Sequence, residues 1–106
     1  PRFGPTKPVY LLTSKSTFSA AEGFAYDLQA LGRAIIVGEP TGGGAHPYEN
    51  VKLDEHYVLG LPVSRSVNPI TGRNWQGTGV RPDVAVPADS AYTVALRLAH
   101  ERLALK

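Results

Sequence analysis

Hydroxyl side chains crowd one junction of this 106-residue chain: TSKSTFSAAEGF, residues 13–24, where an apolar run gives way to helical spacing. A hydroxyl at a strand-to-helix turn has two uses. It can accept a backbone N–H at the helix start, worth about 1 kcal/mol, a role open to Ser16, Thr17 or Ser19. It can also stand as a nucleophile at the positive end of the helix dipole, where first-turn N–H groups point at a developing oxyanion. Spacing alone leaves both readings open and leans to the cap.

Other residues are weighed in the same way. Gly42-Gly43-Gly44 lacks the lysine and threonine of a phosphate loop, so it is either a flexible turn or a place of close backbone approach to an extended peptide or apolar ligand. His46 follows in GGGAHP, as a loop residue packing on Pro47, a substrate-lining residue or, least favoured, a base. Glu22 suits the first helical turn electrostatically, or is the acidic member of a buried pair. Trp75 reads as packing or as a pocket wall, Arg33 and Glu39 as solvated strand ends, and Arg81-Pro82-Asp83 as a turn held by Arg81 or Asp83. His56 and His100 read as surface residues; the three histidines show no ligand spacing, so no metal and no cofactor is expected.

These residues need elements to hold them. PVYLLTS (8–14) reads as a buried strand, Ser19–Leu31 as a helix with Ala20, Phe24, Leu28 and Leu31 on its apolar face, and Gly32 as its C′ residue. RAIIVGE (33–39) reads as a second buried strand, which makes a βαβ unit of a parallel sheet. Period-two alternation predicts a hairpin of Tyr48–Leu53 and Tyr57–Arg65, and the prolines of GVRPDVAVP (79–87) fit a short edge strand. Asp89 or Ser90 then caps a helix to about Leu105, with Tyr92, Ala95, Leu96, Ala99 and Leu103 inward and Arg97 and Glu101 opposite.

The succession VYLLTSKSTFSAAEGFAYDLQALGRAIIVGEPTGGGAHP, followed by NWQGTGVRPDVAV, resembles the C-terminal half of the S41 peptidase family. That family includes the C-terminal processing (tail-specific) proteases and the tricorn core protease. The most similar branch is the bacterial proteins related to the repeat modules of interphotoreceptor retinoid-binding protein. The resemblance implies a ClpP/crotonase-like α/β fold, of which residues 1–106 are the C-terminal part of a catalytic domain. It implies that Ser19 is the nucleophile and that Ala20 N–H is an oxyanion donor. It also aligns Gly44 with the lysine of a Ser–Lys dyad, and Gln76 with the glutamate of a Ser–His–Glu arrangement. An amide orients an imidazole but does not stabilise its charge. The histidine and a second oxyanion donor are then supplied by an upstream part of the same protein, and residues 1–106 alone are expected to be inert.

The bulk properties agree with a modest domain. Hydrophobic residues make up 42% and charged residues 19%, ordinary globular composition, and no apolar run approaches the roughly 18 residues of a membrane span. The net charge of +2 is scattered apart from Arg97, His100, Arg102 and Lys106, with no aromatic–basic interleaving, which argues against nucleic acid. Absence of cysteine excludes thiolate chemistry. Pro1-Arg2-Phe3 leads almost directly into fold-like sequence with no signal peptide, and the chain reads as a piece of a larger protein. Export to the periplasm or cell surface is implied by resemblance only. The expected function is a serine-type peptidase acting on peptide or protein substrates through an acyl-enzyme. The rivals are a non-catalytic module for an apolar ligand such as a retinoid or fatty acid, and a scaffold pairing strand edges as a homo-oligomer.

Overall fold

The computed structural model describes residues 4–105; Pro1-Arg2-Phe3 and Lys106 lie outside them. β1 (Tyr10–Thr13) follows Pro8, and α1 (Ala20–Ala30) begins after Ser19. Leu31 caps α1, and Gly32 turns the chain with φ 61°, a left-handed conformation that glycine adopts without steric cost. β2 (Ile35–Gly38) then lies parallel to β1, Tyr10 opposite Ile35 and Thr13 opposite Gly38. β3 (Tyr48–Lys52) and β4 (Val58–Pro62) form an antiparallel hairpin with every residue exposed. β5 (Val84–Ala85) pairs parallel with β2, giving the sheet order β1-β2-β5, and α2 (Ala88–Ala104) closes the chain.

The expected α/β architecture is therefore present, with each strand shorter than its apolar run. Alternation along β2 divides the core. Ile36, fully buried, joins Ala25, Ala45, Trp75 and Val80 on one face of the sheet. Val37, also fully buried, joins Ala91 and Ala95 of α2 on the other. The site is built from the first cluster.

Both helices are rotated from their predicted faces. In α1 the buried residues are Glu22 and Ala25, whereas Phe24 and Leu31 are about 60% exposed. The cause is polar: the Glu22 carboxylate is bonded from below by the 41–44 loop, and that fixes which side of α1 faces inward. In α2 the inward side is Ala91 and Ala95 flanked by Val94 and Leu98, with Tyr92, Leu96 and Leu103 exposed. Small alanines let α2 sit close on the sheet. Its N-cap is Pro87 rather than Asp89 or Ser90, because proline already holds the extended conformation needed there, φ −55° and ψ 146°. Arg97 and Glu101 pair at 3.0 Å on the outer face. Among the described residues no helix is long and apolar enough to cross a membrane.

Candidate active site

Ser19 occupies the N-cap position of α1 with φ 55° and ψ −120°, the one non-glycine residue with positive φ among those described. A non-glycine residue held there costs roughly 1–3 kcal/mol and persists only where its surroundings over-determine it. The upstream hydroxyls serve their own turn: Thr17 Oγ1 accepts Ser14 N–H at 3.0 Å, and Ser14 Oγ accepts Ser16 N–H at 3.2 Å. Ser19 and Glu22 sit in capping-box geometry, the Glu22 carboxylate on Ser19 N–H at 2.8 Å and the Ser19 side chain facing Glu22 N–H. The Ser19 hydroxyl makes no capping hydrogen bond and is exposed. Ala20 N–H, the first of the helix, is likewise unengaged among the described residues.

Glu22 holds this arrangement together. It is 0% exposed and accepts four donors: Oε1 takes the Thr41 hydroxyl and Gly43 N–H (2.6 Å), Oε2 takes Ser19 N–H and Gly44 N–H (2.9 Å). Burial pushes its pKa upward, and the bonds from Thr41, Gly43, Gly44 and Ser19 outweigh burial, so the carboxyl titrates below its usual range. The buried group is therefore a carboxylate. Thr41 extends the network by accepting Val80 N–H at 2.7 Å. Glu22 does sit in the first helical turn, as the dipole reading has it, but it is buried without an ion-pair partner among the described residues: the charge is met by hydroxyl and backbone donors.

The triple glycine also has a cause. An added Cβ at Gly42 would lie 2.7 Å from Phe18 Cδ2, and one at Gly44 would run into Phe18 Cζ. The close approach that glycine permits is to the ring of Phe18 at 42 and 44 and to the backbone of Gly77 and Gly79 at 43, and the Gly43 and Gly44 N–H groups are committed to Glu22. Phe18 fills the space into which a side chain at position 44 would grow.

Gln76 Oε1 accepts the N–H of Ala45 at 2.7 Å and of His46 at 3.2 Å, so its oxygen is bound to loop backbone rather than offered to an imidazole. That loop walls a pocket of about 230 Å³ lined by Ser19, Ala20, Gly44, His46, Ser66 and Trp75, among others. Here the structure brings Ser19, Ala20, Gly44 and His46 together. Trp75 is both packing and wall: its ring meets Tyr26 at 5.5 Å, and its Nε1–H donates to Gly44 O at 3.0 Å. A second groove, of about 520 Å³, is lined by Leu11, Leu12, Phe18, Ala21 and Phe24 together with the hydroxyl residues of the 13–17 turn.

Further out, Asp83 bonds a backbone group as expected, but on β2 rather than within its own turn: its Oδ2 accepts Ile36 N–H at 2.7 Å. Arg33, read as a solvated end, donates to the carbonyls of Lys7 and Gly4. Sequence reasoning missed Thr41, Phe18 and Asn74 as parts of the site. The Ser19-to-Glu22 spacing of a capping box was a legible signal for Glu22; no local signal marks the other three, which meet their partners through long-range contacts.

Residues 2–86 match the model of peptidase family S41. Among solved structures, a photosystem II D1 C-terminal processing protease superposes with a TM-score of 0.67 at 28% identity, covering 79% of this chain and 22% of that one. Mature CPAF superposes with a TM-score of 0.69 at 27% identity, covering 87% and 19%. Mature CPAF complexed with lactacystin superposes equally, at 25% identity and covering 91% and 19%. The chain thus spans about a fifth of the length of these structures.

Proposed function

Because the chain belongs to peptidase family S41, we propose that it is the nucleophile-bearing part of a serine-type peptidase domain that cleaves peptide or protein substrates. The observation that carries this reading is Ser19: exposed at a pocket, off the preferred backbone regions, and with its hydroxyl uncommitted at the head of α1. Attack of Oγ on a substrate carbonyl forms the Oγ–C bond and passes the hydroxyl proton to a base. The developing oxyanion is met by Ala20 N–H with the helix dipole behind it. Collapse expels the amine, which takes a proton, and water then hydrolyses the acyl-serine.

The base is the part that residues 4–105 do not supply. Position 44 is glycine with Phe18 against it, and no described side chain bonds the Ser19 hydroxyl. A histidine from an upstream part of the protein fills the role, and residues 1–106 alone are inert. That histidine would find Gln76 Oε1 already occupied, leaving the Nε2 donor, so the charge support of a glutamate is missing and turnover is slow. Export of the protein belongs to the same reading.

The groove that Leu11, Leu12, Phe18 and Phe24 help to line favours one rival, a non-catalytic module for an apolar ligand. Fluorophosphonate labelling of the intact protein beside its Ser19→Ala variant decides between them. Labelling that disappears in the variant supports the peptidase. No labelling of a folded wild type that captures a fluorescent fatty acid or retinoid overturns it.

A further inference from the structure

His46 is the one histidine at the Ser19 pocket, and the structure constrains its proton. Its Nε2 lies 3.3 Å from Nδ2 of Asn74. On its own that contact is ambiguous, because imidazole nitrogens donate or accept and amide groups are reversible. The other bonds of Asn74 remove the ambiguity. Nδ2 donates to Ser66 O at 2.7 Å, and Oδ1 accepts Gln76 N–H at 3.0 Å. Reversing the amide would set oxygen against oxygen at Ser66 and N–H against N–H at Gln76, two repulsive contacts in place of two bonds. Asn74 therefore presents a donor to His46, and His46 Nε2 must accept. In the neutral ring the proton is then on Nδ1.

No described residue accepts from Nδ1, and the imidazole is half-buried at the pocket wall. We propose that Asn74 is a positioning residue that holds His46 as its Nδ1–H tautomer, making the imidazole a hydrogen-bond donor to an oxygen of the bound peptide rather than the base for Ser19. This rests on the peptidase reading for the identity of the ligand, and not for the tautomer. The loop geometry serves the same end: Gln76 holds His46 N–H through Oε1 while its own N–H holds Asn74, so the histidine and its orienting amide are clamped by one residue.

Long-range proton–nitrogen spectroscopy of the intact protein, histidine-labelled and assigned by loss of the signal in His46→Gln, reads the tautomer directly. The expected pattern at neutral pH is a protonated Nδ1 and an unprotonated Nε2, changing to mixed tautomers in Asn74→Ala. A wild-type ring protonated on Nε2 would overturn the proposal whatever the variant does. On a chromogenic peptide, His46→Gln keeps a donor and is expected to hold KM within about threefold, while His46→Phe raises KM about tenfold with kcat little changed, a loss of ~1.4 kcal/mol of binding. A tenfold or larger fall of kcat with KM unchanged in both variants would instead make His46 a base and sink the donor role. A wild type inert toward peptides counts against the peptidase reading alone, and the tautomer still decides this one.

Discussion

Glu22 and Ser19 are joined head to tail: the carboxylate three residues into α1 accepts the N–H of the serine that begins it, at 2.8 Å. The same carboxylate holds Thr41, Gly43 and Gly44. One buried charge thus fixes both the backbone of the candidate nucleophile and the loop that faces it.

Replacing that charge tests its weight. Glu22→Gln offers one oxygen and one NH2 where four donors converge, so at least one N–H is set against another donor. A loss of ~3 kcal/mol is expected, read by urea denaturation using the fluorescence of Trp75, the sole tryptophan and a buried one. A loss under ~0.5 kcal/mol would remove Glu22 as the organising group.

The acid dependence has a definite sign. The folded carboxyl titrates below its unfolded value, so its contribution is fully present above the ordinary glutamate range, near about pH 4.3. It fades as pH falls from there through the lowered folded value. The stability gap between wild type and Glu22→Gln should be constant at neutral pH and close in acid; a gap that widens in acid would contradict the assignment.

Backbone strain at Ser19 predicts a gain on removing the side chain. Ser19→Gly adopts φ 55° without the Cβ penalty and should be more stable than Ser19→Ala by about 1 kcal/mol, while both abolish probe labelling. Equal stability of the two would mean that the position relaxes in solution.

Phe18 and Gly44 should show coupling in a double-mutant cycle. Gly44→Ala alone meets the Phe18 ring and is expected to cost about 2 kcal/mol. In a Phe18→Ala background the same change should cost at least 1 kcal/mol less. Additive costs would show that the ring simply swings aside, as its 58% exposure permits.

How much of this was legible follows from range. The βαβ order and Gly32 as helix terminator rest on neighbours in sequence, where periodicity and turn chemistry speak. The apolar face of α1 was misread because Phe24 dominates any count of hydrophobic spacing, whereas the real inward anchor is a glutamate three of whose four donors lie 19 to 22 residues away. Asn74 and the loop contacts of Gln76 were hidden for the same reason. Each acts on residue 45 or 46 across about 30 residues, and an amide carries no periodic signal.

The ring of Phe18 has a historical consequence. With it in place, a side chain at 42 or 44 has to displace the ring. A longer side chain entering at 44 would meet that ring unless residue 18 first became smaller, a change with no packing advantage of its own while 44 is glycine. The order of substitutions at this pair is therefore constrained: residue 18 before residue 44.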